Sequence, residues 1–220
     1  MHRLRNEPKA KDGPQTEGKT LHSAGEYDFF SRMSGMGVNA RNSRNVIELA
    51  KIKAGDRVLH VACGSGNLTL TAQTYAGEKG KVYGIDAAPE MIDVAQKKAR
   101  RLSSSTIFQS GLAEQLDFPD GTFDVVISRL AIHHLPGDLK VKAFAEILRV
   151  LKPGGHVLIA DFVKSSHNVL NHITPIFIGA HMMNTSAWDL PLMLTDAGFI
   201  DVASGPTRSS FLAFVSGKKP

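Results

Sequence analysis

One cysteine, one tryptophan and three tyrosines among 220 residues set the first limits on this chain. Cys63 alone can form no internal disulfide and has no cysteine partner for a metal site. No apolar run approaches the ~18 residues needed to cross a bilayer, and no apolar leader core follows Met1, so a cytoplasmic protein without a membrane span is expected. No aromatic residue precedes Tyr27, so the scattered basic residues Arg3, Arg5, Lys9, Lys11 and Lys19 lack the stacking partners of a nucleic-acid-binding arm. Residues 1–22 read instead as a flexible tail. A formal net charge of +5 adds little to a nucleic-acid reading, and nucleic acid is not an expected partner.

What is present is enough apolar residue, 42%, for one domain with a substantial core, placed at residues 23–220. After an aromatic patch at Tyr27 to Phe30, Ser43 to Lys51 has helical spacing with Val46, Ile47 and Ala50 on one face, ended by Ala54-Gly55-Asp56. Arg57 to Val61 then reads as a buried strand, and Ala62, Cys63, Gly64, Ser65 and Gly66 as a tight turn of small residues. Leu68, Ala72 and Tyr75 follow at helical spacing. Such a turn brings backbone N–H groups close to a ligand at a helix start. Cys63 within it reads as a small filler rather than a reactive thiol.

Lys81 to Asp86 (KVYGID) is a second strand, ending in an acid about 20 residues beyond Gly66, the usual place for a ribose-binding carboxylate. An ordinary strand-end turn residue is the plain alternative. Pro89 opens a helix carrying Ile92, Ala95, Ala99 and Leu102, whose Lys97, Lys98, Arg100 and Arg101 read as a solvated face complementing the macrodipole. Thr106 to Gln109 and Phe123 to Ser128 are further strands. Phe144, Ile147, Leu148 and Leu151 mark a helix stopped by Pro153-Gly154-Gly155, before the strand Val157 to Phe162. Strands alternating with helices predict an α/β fold with a mainly parallel sheet covered on both faces, its ligand outside the strands' carboxyl ends. Residues 164–187 lack a clean period and read as a lid or substrate-side insertion. A short helix from Trp188 to Ala197 and a hairpin around Gly205-Pro206 close the chain.

Four segments in register, VLHVACGSGN, VYGID followed by PEM, GLAEQLDFPDGTFDVVIS and EILRVLKPGGHVLIADF, span Val58 to Phe162. In their order and spacing the chain resembles the class I S-adenosylmethionine-dependent methyltransferases, in the group of ubiquinone/menaquinone and small-molecule methylases. The resemblance implies a Rossmann-like, doubly wound seven-stranded sheet with a C-terminal antiparallel hairpin. It implies S-adenosyl-L-methionine as cofactor, S-adenosyl-L-homocysteine as product, a small-molecule acceptor and a monomer or homodimer. The cofactor site would comprise His60, Ala62, Cys63, Gly64, Ser65, Gly66, Asp86, Ala87, Met91, Gly111, Leu112, Ala113 and Arg129. No metal is implied.

Three positions depart from the family. His60 stands where an acid usually orients the cofactor's ammonium, Ala62 where a glycine is usual, and Leu112 where an Asp often reads the adenine amino group. Alanine costs little at position 62 if its φ is negative. A protonated His60 would repel the ammonium and sulfonium charges whereas a neutral one could accept a hydrogen bond, so the sequence predicts weakened binding that worsens as pH falls. A His60 that only packs at the strand end is the alternative.

Methyl transfer from a sulfonium needs alignment, exclusion of water and, where the nucleophile carries a proton, a base. The segment Ser128 to Leu135 resembles that of phosphoethanolamine methyltransferases, where a His near His134 pairs with an N-terminal Tyr. His134, His133 and Tyr27 are therefore the catalytic candidates, although the adjacent acid of those enzymes is Leu130 here. Capping and packing is the alternative for the two histidines. His167, His172 and His181, with Met182 and Met183, fit an apolar lid wall better than a metal site. A nicotinamide-binding oxidoreductase is a weak rival, because its G-x-G-x-x-G would fall on Ala62, Gly64 and Asn67. A non-catalytic protein on the same cofactor fold is the other.

Overall fold

The structure, a computed structural model, describes Pro14 and residues 40–163 and 186–220. The tail 1–22 apart from Pro14, Tyr27, nearly all of the segment 164–187 and its His and Met residues lie outside the described residues. Five strands and their helices follow, alternating except that no helix separates β3 from β4: α1 (Ala40–Leu49), β1 (Arg57–Val61), α2 (Asn67–Ala76), β2 (Lys81–Asp86), α3 (Pro89–Arg101), β3 (Ile107–Ser110), β4 (Phe123–Arg129), α4 (Gly137–Val150) and β5 (Leu151–Phe162). Then come α5 (Leu190–Asp196), β6 (Ile200–Pro206) and β7 (Leu212–Lys218).

The seven strands form one sheet in the order β3-β2-β1-β4-β5-β7-β6. β1 to β5 pair in parallel, and β7 alone runs against its neighbours on both sides. The central strands are apolar on both faces because both faces are covered. Leu59, Val61, Val126, Val157 and Ile159 pack on one side with Phe144, Ile147, Leu190 and Leu194 of α4 and α5. Val58, Val125, Ile127 and Leu158 pack on the other with Val46, Ile47, Leu68 and Ala72 of α1 and α2. Each such side chain contributes roughly 1.5–3 kcal/mol when fully buried.

Four local readings are corrected. α1 ends at Leu49, with Lys51 in the left-handed region at φ 51°. Leu151 belongs to a strand: its backbone pairs with Phe123, and Pro153-Gly154-Gly155 form an irregularity inside β5 rather than a stop before it. A Cβ on Gly155 would lie 2.9–3.1 Å from the carbonyl oxygens of Lys152, Asp124 and Phe123, so only glycine lets the chain pass there. Lys219 Nζ donates to the carbonyls of Arg149 and Leu151, placing a cation at the carboxyl end of α4. The helix expected at Trp188 to Ala197 is a 3-10 turn, Ala187–Asp189, with a capping box from Ser186, followed by α5. Gly205 and Pro206 end β6, and the hairpin turn itself follows them.

The crevice of such a sheet opens where the strand order reverses, between β1 and β4. Val61, Asp86, Ser110, Arg129 and Phe162 all end strands at that edge. No helix among the described residues is long and apolar enough to cross a membrane.

Candidate cofactor and acceptor site

β1 runs into a turn held by three left-handed residues, Ala62 (φ 55°), Gly64 (φ 53°) and Gly66 (φ 83°). The Cys63 amide donates to the Ile85 carbonyl at 2.8 Å and the Gly66 amide to that of Cys63 at 3.1 Å, folding the turn against β2. The two glycines serve different ends. A Cβ on Gly64 would meet nothing within 4 Å, so backbone angle alone asks for glycine there. A Cβ on Gly66 would sit 2.8 Å from both Ala95 Cβ and Phe108 Cζ, so glycine also lets the start of α2 approach α3 and β3. The condition under which Ala62 costs little is not met. At φ 55° its Cβ crowds the following carbonyl, a strain of about 1–2 kcal/mol that glycine would not bear.

Asp86 closes the cradle from the second strand. Its Oδ2 accepts from the Gly64 amide at 2.7 Å and its Oδ1 from the Ala88 amide at 2.9 Å. Burial pushes this carboxyl up from its ordinary value, and the two amide bonds pull it back. Asp86 is therefore built into the glycine turn and is more than a strand-end residue. The Gly111 amide donates to the Asp86 carbonyl at 3.0 Å, drawing the post-β3 loop to the same edge, where Leu112 bridges to Gln115 and Leu112 and Ala113 are half-buried. Ala87 is half-buried there, while Met91 is buried with Ala88 beneath the start of α3.

His60 lies one residue from the end of β1 and is 2% exposed. Its Nδ1 shares a 2.7 Å hydrogen bond with the Thr69 hydroxyl on α2, and its Nε2 is buried with no partner. Burial, reinforced by the positive charge of Arg129, lowers its pKa to about 3. The imidazole is thus neutral at physiological pH, and the repulsion on which the expected pH dependence rested does not arise there. Burial pushes the Cys63 thiol well up, as befits an inert filler.

Lys98 corrects the reading of a wholly solvated basic face. Its ammonium donates to Ser65 Oγ at 3.0 Å and Asn67 Oδ1 at 2.9 Å, pinning the turn from α3. On the other side of the crevice, Arg129 Nη1 donates to Ser43 Oγ at 2.9 Å and ties α1 to the end of β4.

After β4 the chain passes through Leu130 at φ 56° into a 3-10 turn, Ile132–His134. His133 Nδ1 lies 2.6 Å from Asp161 Oδ1 on β5, and the His133 amide donates to Asp161 Oδ2 at 3.1 Å. His134 is half-buried, its ring centroid 4.0 Å from that of His133. Thr69, Lys98 and Asp161 are site residues that sequence reasoning missed. Asp161 carried a usable signal, since it is an acid near the carboxyl end of a strand, as Asp86 is. Among the described residues no group of three His, Cys, Asp or Glu side chains could hold a metal.

A glycine turn locked to a strand-end acid at the switch point of a 3-2-1-4-5 sheet defines a Rossmann-like nucleoside-binding site. Residues 58–155 match the methyltransferase-domain family. Over 167 residues the chain is 33% identical to the ubiquinone/menaquinone biosynthesis C-methyltransferase UbiE of Azotobacter vinelandii, covering 74% of this chain and 65% of that one. It is 34% identical to UbiE of Pseudomonas aeruginosa over 156 residues, covering 70% and 60%. The crystal structure of a SAM-dependent methyltransferase from Aquifex aeolicus shares the fold, with a TM-score of 0.72 at 23% identity over 90% of this chain and 99% of that one. The chain belongs to the class I S-adenosylmethionine-dependent methyltransferases. It spans a little under two thirds of the length of the UbiE relatives it matches.

Proposed function

We propose that this protein transfers a methyl group from S-adenosylmethionine to an O, N or C nucleophile of a small molecule, acting in the cytoplasm as a monomer or homodimer. The observation that carries the reading is the joining of Asp86 to the glycine turn through the Gly64 amide. A carboxylate offers about four acceptor positions. Two are taken by backbone amides, which leaves two for the hydroxyls of a ribose.

The residues present fit the cofactor on two further counts. The space beside Gly64 admits a ligand against the backbone. The buried, unpartnered Nε2 of His60 is the kind of polar atom that a bound amino-acid group satisfies. On this reading the turn from Ala62 to Gly66 and His60 hold the amino-acid end, and Asp86 with Ala87 holds the ribose. Gly111, Leu112 and Ala113 border the base, and Met91 supports the site from beneath. Arg129 flanks the crevice from the β4 side.

S-adenosylmethionine supplies a methyl group already activated on a sulfonium. The protein's part is to align the acceptor, exclude water and take up any proton the acceptor gives up. The names of the UbiE relatives favour a carbon nucleophile. The test is release of S-adenosylhomocysteine when the protein meets S-adenosylmethionine and a metabolite extract; the proposal expects extract-dependent release.

A second reading, a non-catalytic protein that binds the cofactor, is favoured by the exchanges at His60 and Leu112. It expects binding without release. The nicotinamide reading loses further support at Asn67, whose side chain is held by Lys98 where a dinucleotide fingerprint needs a glycine.

A further inference from the structure

We infer that Arg149 and Glu146 of α4 set the adenine selectivity of the cofactor site by fixing the main chain of the loop after β3. The inference rests on the methyl-transfer reading above and deepens it. A guanidinium has five N–H donors, and Arg149 places them all. Nε donates to Glu146 Oε1 at 2.7 Å, Nη1 to the Phe118 carbonyl and to Asp120 Oδ1, both at 2.7 Å, and Nη2 to the Leu116 carbonyl and to Glu146 Oε2, both at 2.8 Å. Glu146 Oε2 in turn accepts from the Leu116 amide at 2.8 Å.

Ion pairs as exposed as this one contribute little to stability, and pairing alone would not call for two carbonyls and an amide of one loop. What the pair grips is main chain. With the amide and the carbonyl of Leu116 both bound, the peptide planes on either side of that residue are fixed. At the other end of the loop the Gly111 amide is bound to the Asp86 carbonyl at 3.0 Å. Leu112 to Gln115, closed by their own bridge, therefore form a short span between two anchors. Packing sets how deep the loop lies: Leu116 is buried in the core, and Phe118 meets Tyr83 and Phe123 edge-on. The hydrogen bonds set which way its peptide groups face.

That span borders the base in the proposed site. Leu112 and Ala113 carry no side-chain donor or acceptor, so at these two positions only main-chain groups can read a base edge. Adenine presents an amino donor beside a ring-nitrogen acceptor, and hypoxanthine reverses both. Peptide groups held in one orientation tell the two bases apart, whereas peptide groups free to turn do not. A planar fork suits this task, and an ammonium with three donors on one atom does not. Arg149 and Glu146 are positioning residues.

Arg149→Lys keeps the charge and loses the fork. Calorimetry of the full chain with S-adenosylhomocysteine and S-inosylhomocysteine should show wild type preferring the adenosyl ligand, and the variant narrowing that preference roughly ten-fold. Without ligand, amide hydrogen exchange in the variant should quicken at Leu116. Gly121 and Thr122, which donate to the carbonyls of Arg149 and Val150, should keep their protection. Glu146→Gln should act in the same direction, and it takes the place of Arg149→Lys if that variant does not fold. Lys152→Ala is the control, since it breaks a comparably exposed pair with Asp124 that holds none of this loop, and it should leave the ligand preference unchanged.

An Arg149→Lys protein with the wild-type preference, whatever its affinities, overturns the inference. So does a wild type that binds both ligands equally, an unchanged exchange rate at Leu116, or an equal narrowing in Lys152→Ala. Wild-type protein that binds neither ligand strikes the methyl-transfer reading instead, and exchange at Leu116 still judges the clamp.

Discussion

His60 Nδ1 and the Thr69 hydroxyl lie 2.7 Å apart, joining the end of β1 to the first turn of α2 in a corner closed to solvent. The corner therefore holds a neutral ring with one nitrogen fixed and the other unpaired.

The first prediction concerns pH. Unfolded, His60 titrates near 6.5, and folded near 3, so its contribution to stability is intact above 6.5 and is lost as pH falls through 3. The loss is on the order of 3 kcal/mol by pH 4. Urea unfolding at pH 7.5 and 4.5 should show wild type losing more stability than His60→Gln, which cannot titrate. Equal losses would remove His60 as a source of acid sensitivity. Affinity for S-adenosylmethionine should not fall through this residue between pH 8 and 5.5.

Ala62 stores strain at φ 55°. Ala62→Gly should stabilise the protein by about 1 kcal/mol, raising Tm by roughly 2–4 °C. A lowered Tm in a thermal scan would show that the alanine side chain contributes packing that outweighs its backbone cost.

Gly66→Ala should do the opposite. Its methyl would press on Ala95 and Phe108 at 2.8 Å while also taking a left-handed angle. A destabilisation of about 2–3 kcal/mol is expected, measurable by urea unfolding.

Asp86→Ala leaves the Gly64 and Ala88 amides without their acceptor and removes the carboxylate proposed to hold the ribose. Hydrogen bonds to charged groups contribute about 1.5–3 kcal/mol each. Affinity for S-adenosylmethionine should therefore fall by at least about ten-fold, read by calorimetry.

Much of this architecture was legible in the residues. β1 and β2 begin and end where their apolar runs predict, and Pro89 opens α3 as expected. Asp86 faces the glycine turn, as its distance along the chain suggested. What escaped was set by tertiary contact. The sign of φ at Ala62 depends on how the turn folds onto Ile85. The neutrality of His60 depends on burial under α2 and on Arg129, some 70 residues on. Leu151 sits at the end of a helical stripe, but its backbone is claimed by Phe123 on β4. Asp161 is an acid near a strand's carboxyl end, but its partner is fixed only when the segment after β4 brings His133 to it.

The most direct test of the central claim is calorimetric titration of the wild-type protein with S-adenosylmethionine, S-adenosylhomocysteine and NAD. The site built from Gly64, Gly66, His60 and Asp86 predicts saturable one-to-one binding of the first two and none of the third. Absence of heat with both S-adenosyl ligands, or saturable binding of NAD, would contradict it.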